Sequence, residues 1–129
     1  MTASLDEARR FLALAADDLA AFQALVTLPH IRQAIAFFHA QQSIEKSLKA
    51  VLFARGLAFR RTHDLLDLAD RLEEGGVSLP FSAEELGEIN PYAVEFRYDD
   101  SNTSPLGREE VERIAGQTLA WAKALVQKT

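Results

Sequence analysis

Apolar residues recur at alternating spacings of three and four along most of this chain, and that spacing constrains the fold more than any other feature. The spacing is that of one face of an α-helix. In the first segment it gives a single stripe: Leu5, Ala8, Leu12, Ala15, Leu19, Phe22 and Val26. Pro29 ends that helix. No segment alternates apolar and polar residues in the manner of a half-buried strand, so the sequence predicts an all-α protein.

Glycine, proline and capping residues divide the rest of the chain into further helices. A second helix is predicted from about His30 to Arg55, with Gly56 placed where a left-handed residue can end it. A shorter third helix begins at a Thr62 cap and stops at the glycine pair at 75–76. These signals predict two consecutive helices joined by a short connection.

The last third of the chain contains an interrupted helix and a final one. The fourth helix is predicted from Ser82 toward Tyr98, and Asn90 and Pro91 in its middle should bend or split it. A loop over 99–107 precedes a last helix with its own stripe: Val111, Ile114, Thr118, Trp121 and Leu125. Four to five amphipathic helices with short connections predict an up-and-down bundle, folded as one domain over residues 1–129.

The two longest predicted helices also bear on oligomeric state. Each is about 35 Å long by the rise per residue, which is longer than a bundle of this size needs on every side. We therefore expect an apolar face that a second copy covers in a homodimer.

Composition narrows the compartment and the chemistry. The chain has no cysteine, which excludes disulfides, cysteine-ligated metals and thiol nucleophiles. No apolar run approaches the ~18 residues of a membrane span, so we expect a cytoplasmic protein that does not enter a membrane. The net charge of -5 disfavours indiscriminate binding to nucleic-acid phosphates. Residues 46–63 nevertheless carry five cations and no acid, which favours a local anion site.

Polar residues interrupt the apolar stripe of the second helix. The spacing of Ile31, Ile35 and Phe38 leads next to three polar side chains, before Leu52 restores the pattern: Gln42, Glu45 and Lys49. Buried polar groups need partners, because an unpaired one costs about 1–3 kcal/mol. Either the bundle or a ligand must supply those partners.

Two interpretations of this interruption are open. Glu45 and Lys49 are one helical turn apart and can simply form an ion pair on a solvated face. Alternatively, a polar cleft binds an anionic, phosphate-bearing ligand through seven residues: Gln42, Glu45, Lys46, Lys49, His63, Arg97 and Tyr98. There Lys49 and Arg97 contact phosphate, Gln42 and Glu45 organise the site, and His63 orients the ligand.

The remaining signals argue against several kinds of site. The other aromatic residues lie at helical spacing and are expected in the core, which argues against a base-stacking platform: Phe11, Phe22, Phe37, Phe38, Phe53 and Trp121. No Gly-rich phosphate loop, zinc-protease motif or nucleophile elbow is present. We expect no cofactor and no metal, and we assign no catalytic residue.

One combination of motifs resembles a known family over nearly the whole chain. The string at 39–50 (HAQQSIEKSLKA), followed by Gly56, by residues 62–65 (THDL) and later by Arg97 and Tyr98, resembles the HEPN family. The resemblance implies a dimerising bundle of about five helices, commonly an accessory or substrate-binding partner of a minimal nucleotidyltransferase. Many relatives form toxin–antitoxin modules. A nucleotide- or anion-binding accessory module is therefore the expected function.

Two alternatives stand beside that function. Ribonuclease toxins of this family carry an Arg and a His, with four to six residues between them, in a late helix. No His follows Arg97 here, and the one pair with that spacing, Arg32 and His39, lies in the second helix. The first alternative is a metal-independent ribonuclease that acts on RNA through His39 or His63 with an Arg. The second is a structural dimer, which predicts a fully paired Lys49 and no open cleft.

Overall fold

The protein is an all-helical bundle, as the spacing of its apolar residues predicts. A computed structural model describes residues 2–93 and 106–128. Five α-helices and one 3-10 helix lie in these ranges: α1 (Thr2–Leu25), α2 (Gln33–Ala54), α3 (Leu65–Glu74), α4 (Ala83–Ile89), the 3-10 helix (Asn90–Ala93) and α5 (Arg108–Gln127). The described residues contain no strand, and none of their helices is long and apolar enough to cross a bilayer.

Helix α2 is the centre of the bundle. It packs along the whole of α1 and also against α3, α5 and the 3-10 helix. Every one of its residues is buried or half-buried. The largest fully buried side chains of α2 are Phe37, Ile44, Leu48 and Leu52. Burying each such side chain contributes roughly 1.5–3 kcal/mol, so packing around α2 supplies much of the core.

Two predicted helix starts need correction. Helix α2 begins at Gln33 rather than about His30, because the chain turns over residues 26–31 and Arg32 is still extended. The cap of α3 is Asp64 rather than Thr62, since the Asp64 side chain accepts a hydrogen bond from the Leu66 amide at 3.0 Å. Thr62 supports this cap from outside the helix, where its hydroxyl accepts from the Asp64 amide at 3.0 Å.

Other sequence signals are confirmed. Gly56 follows α2 with a φ of 66°, a left-handed conformation that a residue with a Cβ adopts at a cost. Ser82 caps α4 in a reciprocal capping box with Glu85. The predicted break at Asn90 and Pro91 is the start of the 3-10 helix. The part of the fourth helix predicted beyond Ala93, with Arg97 and Tyr98, lies outside the described residues.

Asn90 connects the break after α4 to the start of α3. Its side-chain oxygen accepts from the Leu65 amide at 2.8 Å, and its Nδ2 donates to Asp64 Oδ1 at 2.9 Å. These two bonds fix the backbone directly after His63. The fold thus holds the segment between α2 and α3 in place at its far end.

Candidate functional site

A buried carboxylate on α2, that of Glu45, is the centre of the polar interruption. Only 3% of its side chain is exposed, so the solvated-face interpretation is wrong. Lys49 Nζ lies 2.9 Å from Glu45 Oε2, and Gln42 Nε2 donates to Oε1 at 3.3 Å. His63 Nδ1 lies 3.2 Å from both carboxylate oxygens. Four predicted residues therefore meet around one charge.

Gln41 also belongs to this group, and sequence reasoning missed it. Its fully buried amide donates to the His63 carbonyl at 3.1 Å and lies 3.4 Å from Glu45 Oε1. It accepts from Gln42 Nε2 at 2.7 Å. The signal in the sequence was that Gln41 alone is polar on an otherwise apolar stripe. We call the set Gln41, Gln42, Glu45, Lys49 and His63 the Glu45 cluster.

Lys46 lies elsewhere on α2, in a second cluster with α1. Its Nζ lies 2.5 Å from Asp18 Oδ2, and His39 Nδ1 lies 3.0 Å from Asp18 Oδ1. We call Asp18, His39 and Lys46 the Asp18 cluster. The structure thus brings together Gln42, Glu45, Lys49 and His63 but not Lys46, while Arg97 and Tyr98 are outside the described residues.

A cleft of about 500 Å³ adjoins the Glu45 cluster, and Lys49 belongs to both. It lies between the first turns of α1, the last turns of α2 and residues 57–61. Its wall carries three cationic side chains, one acidic side chain and three aromatic side chains: Arg10, Lys49, Arg61, Glu7, Phe11, Phe53 and Phe59. A cleft beside Lys49 contradicts the structural-dimer interpretation, although its other expectation, a paired Lys49, is met.

The three cations of the cleft differ in how firmly they are held. Arg10 pairs with Glu7 at 2.8 Å, and this hydrogen bond lowers the pKa of Glu7 and raises that of Arg10. Lys49 is held by Glu45. Arg61 is exposed and has no ion-pair partner among residues 2–93 and 106–128, whereas its neighbour Arg60 pairs with Asp67 at 2.6 Å. Arg61 is therefore the cation that an incoming anion meets unpaired.

The aromatic rings of the cleft correct another expectation. Phe22 and Phe37 are in the core as predicted, but Phe11 and Phe53 are only half-buried and line the cleft. The Phe11 and Phe53 ring centroids are 5.3 Å apart, and Phe53 and Phe59 meet edge to face at 5.3 Å. Helical spacing shows which residues face inward but not where the core ends. Two rings that the sequence assigned to the core therefore lie on the wall of the cleft.

Arg32 and His39, the pair with the spacing of the family's ribonucleases, do not line the cleft. His39 has its Nδ1 against Asp18, and Arg32 is the extended residue before α2. Within the described part of the chain, no three His, Asp or Glu side chains are grouped so as to hold a metal ion. The arrangement that the structure does offer is a cationic and aromatic cleft with one lysine anchored on a buried carboxylate.

Comparison with known proteins adds one finding. The family model for the HEPN domain matches residues 1–125, which is nearly the whole chain. Neither a curated protein nor a solved structure matches this chain significantly. The family match supports a module with a nucleotide-related or ribonuclease-type role.

Proposed function

The chain belongs to the HEPN domain family, and from that premise we propose that it is an accessory module that binds a nucleotide in the cleft beside Lys49. The observation that carries the proposal is the composition of the cleft wall. Three cations and three phenylalanines surround one space of about 500 Å³. That volume lies within the ~300–1,000 Å³ of ordinary ligand sites.

The two kinds of side chain suit the two halves of a nucleotide. Phosphate oxygens accept charge-assisted hydrogen bonds from Arg61 and Lys49, and an arginine can bind them through two parallel N–H groups. A base packs on the rings of Phe53 and Phe59, where stacking contributes roughly 1–3 kcal/mol per base. A bare phosphate would use the cations only, so the rings favour a ligand that carries a base.

The proposal includes the protein's partners. The module acts as a cytoplasmic homodimer and presents its ligand to a minimal nucleotidyltransferase, and a toxin–antitoxin system is one setting for such a pair. The support for this part is family membership. A search of the neighbouring genes for a minimal nucleotidyltransferase, then co-expression of the two chains and size-exclusion chromatography, tests it. A stable mixed complex is expected, and separate elution of the two chains would contradict the partner.

Calorimetric titration with ATP, AMP and pyrophosphate, each with magnesium, tests the ligand. ATP and AMP should bind more tightly than pyrophosphate, because only they can use the rings. Arg61→Ala should weaken ATP binding about tenfold or more, as expected for a charge-assisted hydrogen bond. Arg60→Ala is the matched control, because Arg60 pairs with Asp67 and does not line the cleft.

Two results would contradict the nucleotide proposal. One is the absence of binding heat for every nucleotide tested, and the other is equal weakening by Arg61→Ala and Arg60→Ala. Incubation of the protein with RNA tests the ribonuclease alternative in parallel. Intact RNA is expected, and cleavage that His39→Gln or His63→Gln abolishes would favour the alternative instead.

A further inference from the structure

Lys49 cannot bind an anion in the cleft without weakening its bond to Glu45. Its ammonium lies 2.9 Å from the carboxylate, and the lysine side chain is only 12% exposed. An entering phosphate therefore competes with Glu45 for the same ammonium. Because Glu45 is almost fully buried, water cannot fully replace the lost partner, and an uncompensated buried charge is strongly unfavourable.

His63 is placed to compensate that charge. A carboxylate only accepts hydrogen bonds, so the Nδ1 atom 3.2 Å from both Glu45 oxygens carries the hydrogen. The lone pair of the neutral ring is then on Nε2. The side chain is 65% exposed, so water can deliver a proton to it. A protonated ring would place a full positive charge next to Glu45.

We propose that nucleotide binding in the cleft is coupled to the uptake of a proton by His63. The ligand phosphate draws the Lys49 ammonium away from Glu45, a proton from the buffer adds to His63 Nε2, and the imidazolium then neutralises Glu45. No covalent bond between heavy atoms changes. The inference rests on the proposed function, and it makes His63 a positioning residue that acts through Glu45 and Lys49.

The direction of the pH effect follows from this exchange. The bound state holds more protons than the free state, so lowering the pH favours binding. Among the described residues, the charged groups near His63 are Glu45, which contacts the ring, and Lys49, which contacts Glu45, while Arg61 and Asp64 are its neighbours along the chain. Asp64 is occupied by the Leu66 amide and by Asn90, so Glu45 is the carboxylate that touches the ring.

The Asp18 cluster supplies a matched control. His39 likewise has its Nδ1 on a carboxylate that also binds a lysine. Lys46, however, does not line the cleft, so a ligand there leaves the partners of His39 unchanged. Proton uptake should therefore depend on His63 and not on His39.

Titration with ATP in two buffers of different ionisation enthalpy measures the uptake. At mildly alkaline pH, where the triphosphate is fully ionised, the wild-type protein should take up a fraction of a proton per ATP. His63→Gln should bind ATP more weakly, because Glu45 then lacks its compensating charge, and the binding that remains should lose the buffer dependence. His39→Gln should keep both the affinity and the buffer dependence. Equal heats in both buffers for the wild-type protein, or uptake that persists in His63→Gln, would overturn the inference. Failure of ATP to bind at all would instead contradict the proposed function.

A second measurement needs no ligand. Lys49→Met removes the ammonium from Glu45 permanently, so the His63 ring should take up its proton at higher pH than in the wild-type protein. Histidine ring resonances followed by NMR across a pH titration report this directly, with His39 as the internal reference. An unchanged titration of His63 would refute the coupling whether or not ATP binds. Lys49→Gln serves as a second variant should Lys49→Met not fold.

Discussion

The molecule contains the same three chemical groups twice, each time a carboxylate that binds a lysine and a histidine. In the Asp18 cluster the carboxylate comes from α1, is 14% exposed and ties that helix to α2. In the Glu45 cluster the carboxylate is on α2, is 3% exposed and also touches two glutamine amides. Only the second lysine reaches the cleft. The two clusters therefore differ in their position in the bundle rather than in their chemistry: the Asp18 cluster joins two helices, and the Glu45 cluster adjoins the candidate site.

Removing each carboxylate is the strongest test of that comparison. Glu45→Ala removes the acceptor that Lys49 and His63 share and one of the two acceptors of each glutamine amide. It should therefore lower the free energy of unfolding by about 3 kcal/mol. Asp18→Ala removes the acceptor of Lys46 and His39, which water reaches more easily. It should lower the free energy of unfolding by roughly 1–2 kcal/mol. Urea unfolding measures both. Equal losses would show that burial does not distinguish the clusters.

Two buried serines on α2 test whether a hydrogen bond to α1 stabilises the protein. Ser43 Oγ donates to the Ala15 carbonyl at 2.8 Å, whereas the buried Ser47 Oγ has no hydrogen-bond partner within residues 2–93 and 106–128. Ser43→Ala should destabilise the protein by about 1 kcal/mol, because it leaves its α1 acceptor with one bond fewer. Ser47→Ala should be neutral or slightly stabilising, since it removes an unsatisfied hydroxyl. Thermal unfolding of the two variants measures both effects. A larger loss of stability in Ser47→Ala than in Ser43→Ala would contradict the prediction.

A third carboxylate, Glu85, extends the comparison to the surface and should show the smallest effect. Its pKa is lowered, first by the Ser82 backbone amide and then by Arg113, against the desolvation that raises it. A lowered folded-state pKa contributes stability above the ordinary value of 4.5, which is lost as the pH falls through the folded value. Glu85→Gln should therefore cost a few tenths of a kcal/mol at neutral pH, as surface ion pairs do.

The pH dependence separates this prediction from a simple packing effect. The difference in unfolding free energy between Glu85→Gln and the wild-type protein should shrink as the pH drops below about 4. Chemical unfolding at several pH values measures it. A difference that stays constant down to acid pH would mean that the charge of Glu85 contributes nothing.

The fold was largely predictable from the sequence because its signals are local. The three-and-four spacing predicted the long helices, and caps and glycines predicted the shorter α3 and α4. Gly56 predicted the end of α2, and Asn90 with Pro91 predicted the break after α4. The start of α2 was placed too early because the periodicity does not show that Pro29 and His30 form part of a turn. Such errors affect ends of helices and leave their faces correct.

The site was only partly predictable because it depends on contacts between distant segments. The interrupted stripe indicated Gln42, Glu45 and Lys49, and a position at the start of the third predicted helix indicated His63. The stripe does not show that Lys46 binds Asp18 on α1 whereas Lys49 lines the cleft, because both lysines lie at the edge of the same helix face. The cleft itself joins α1 to residues 57–61, and no pattern within one segment predicts such a contact.

The central position of α2 has a consequence for how this protein tolerates change. A helix without a fully exposed residue has no position where a substitution is free of contacts. In a saturation mutagenesis screen, every position of α2 should therefore be sensitive to substitution. In α1 and α5, positions that tolerate substitution should recur about once per helical turn. Fluorescent labels and affinity handles belong at sites such as Lys123 on the outer side of α5, where attachment leaves the bundle undisturbed.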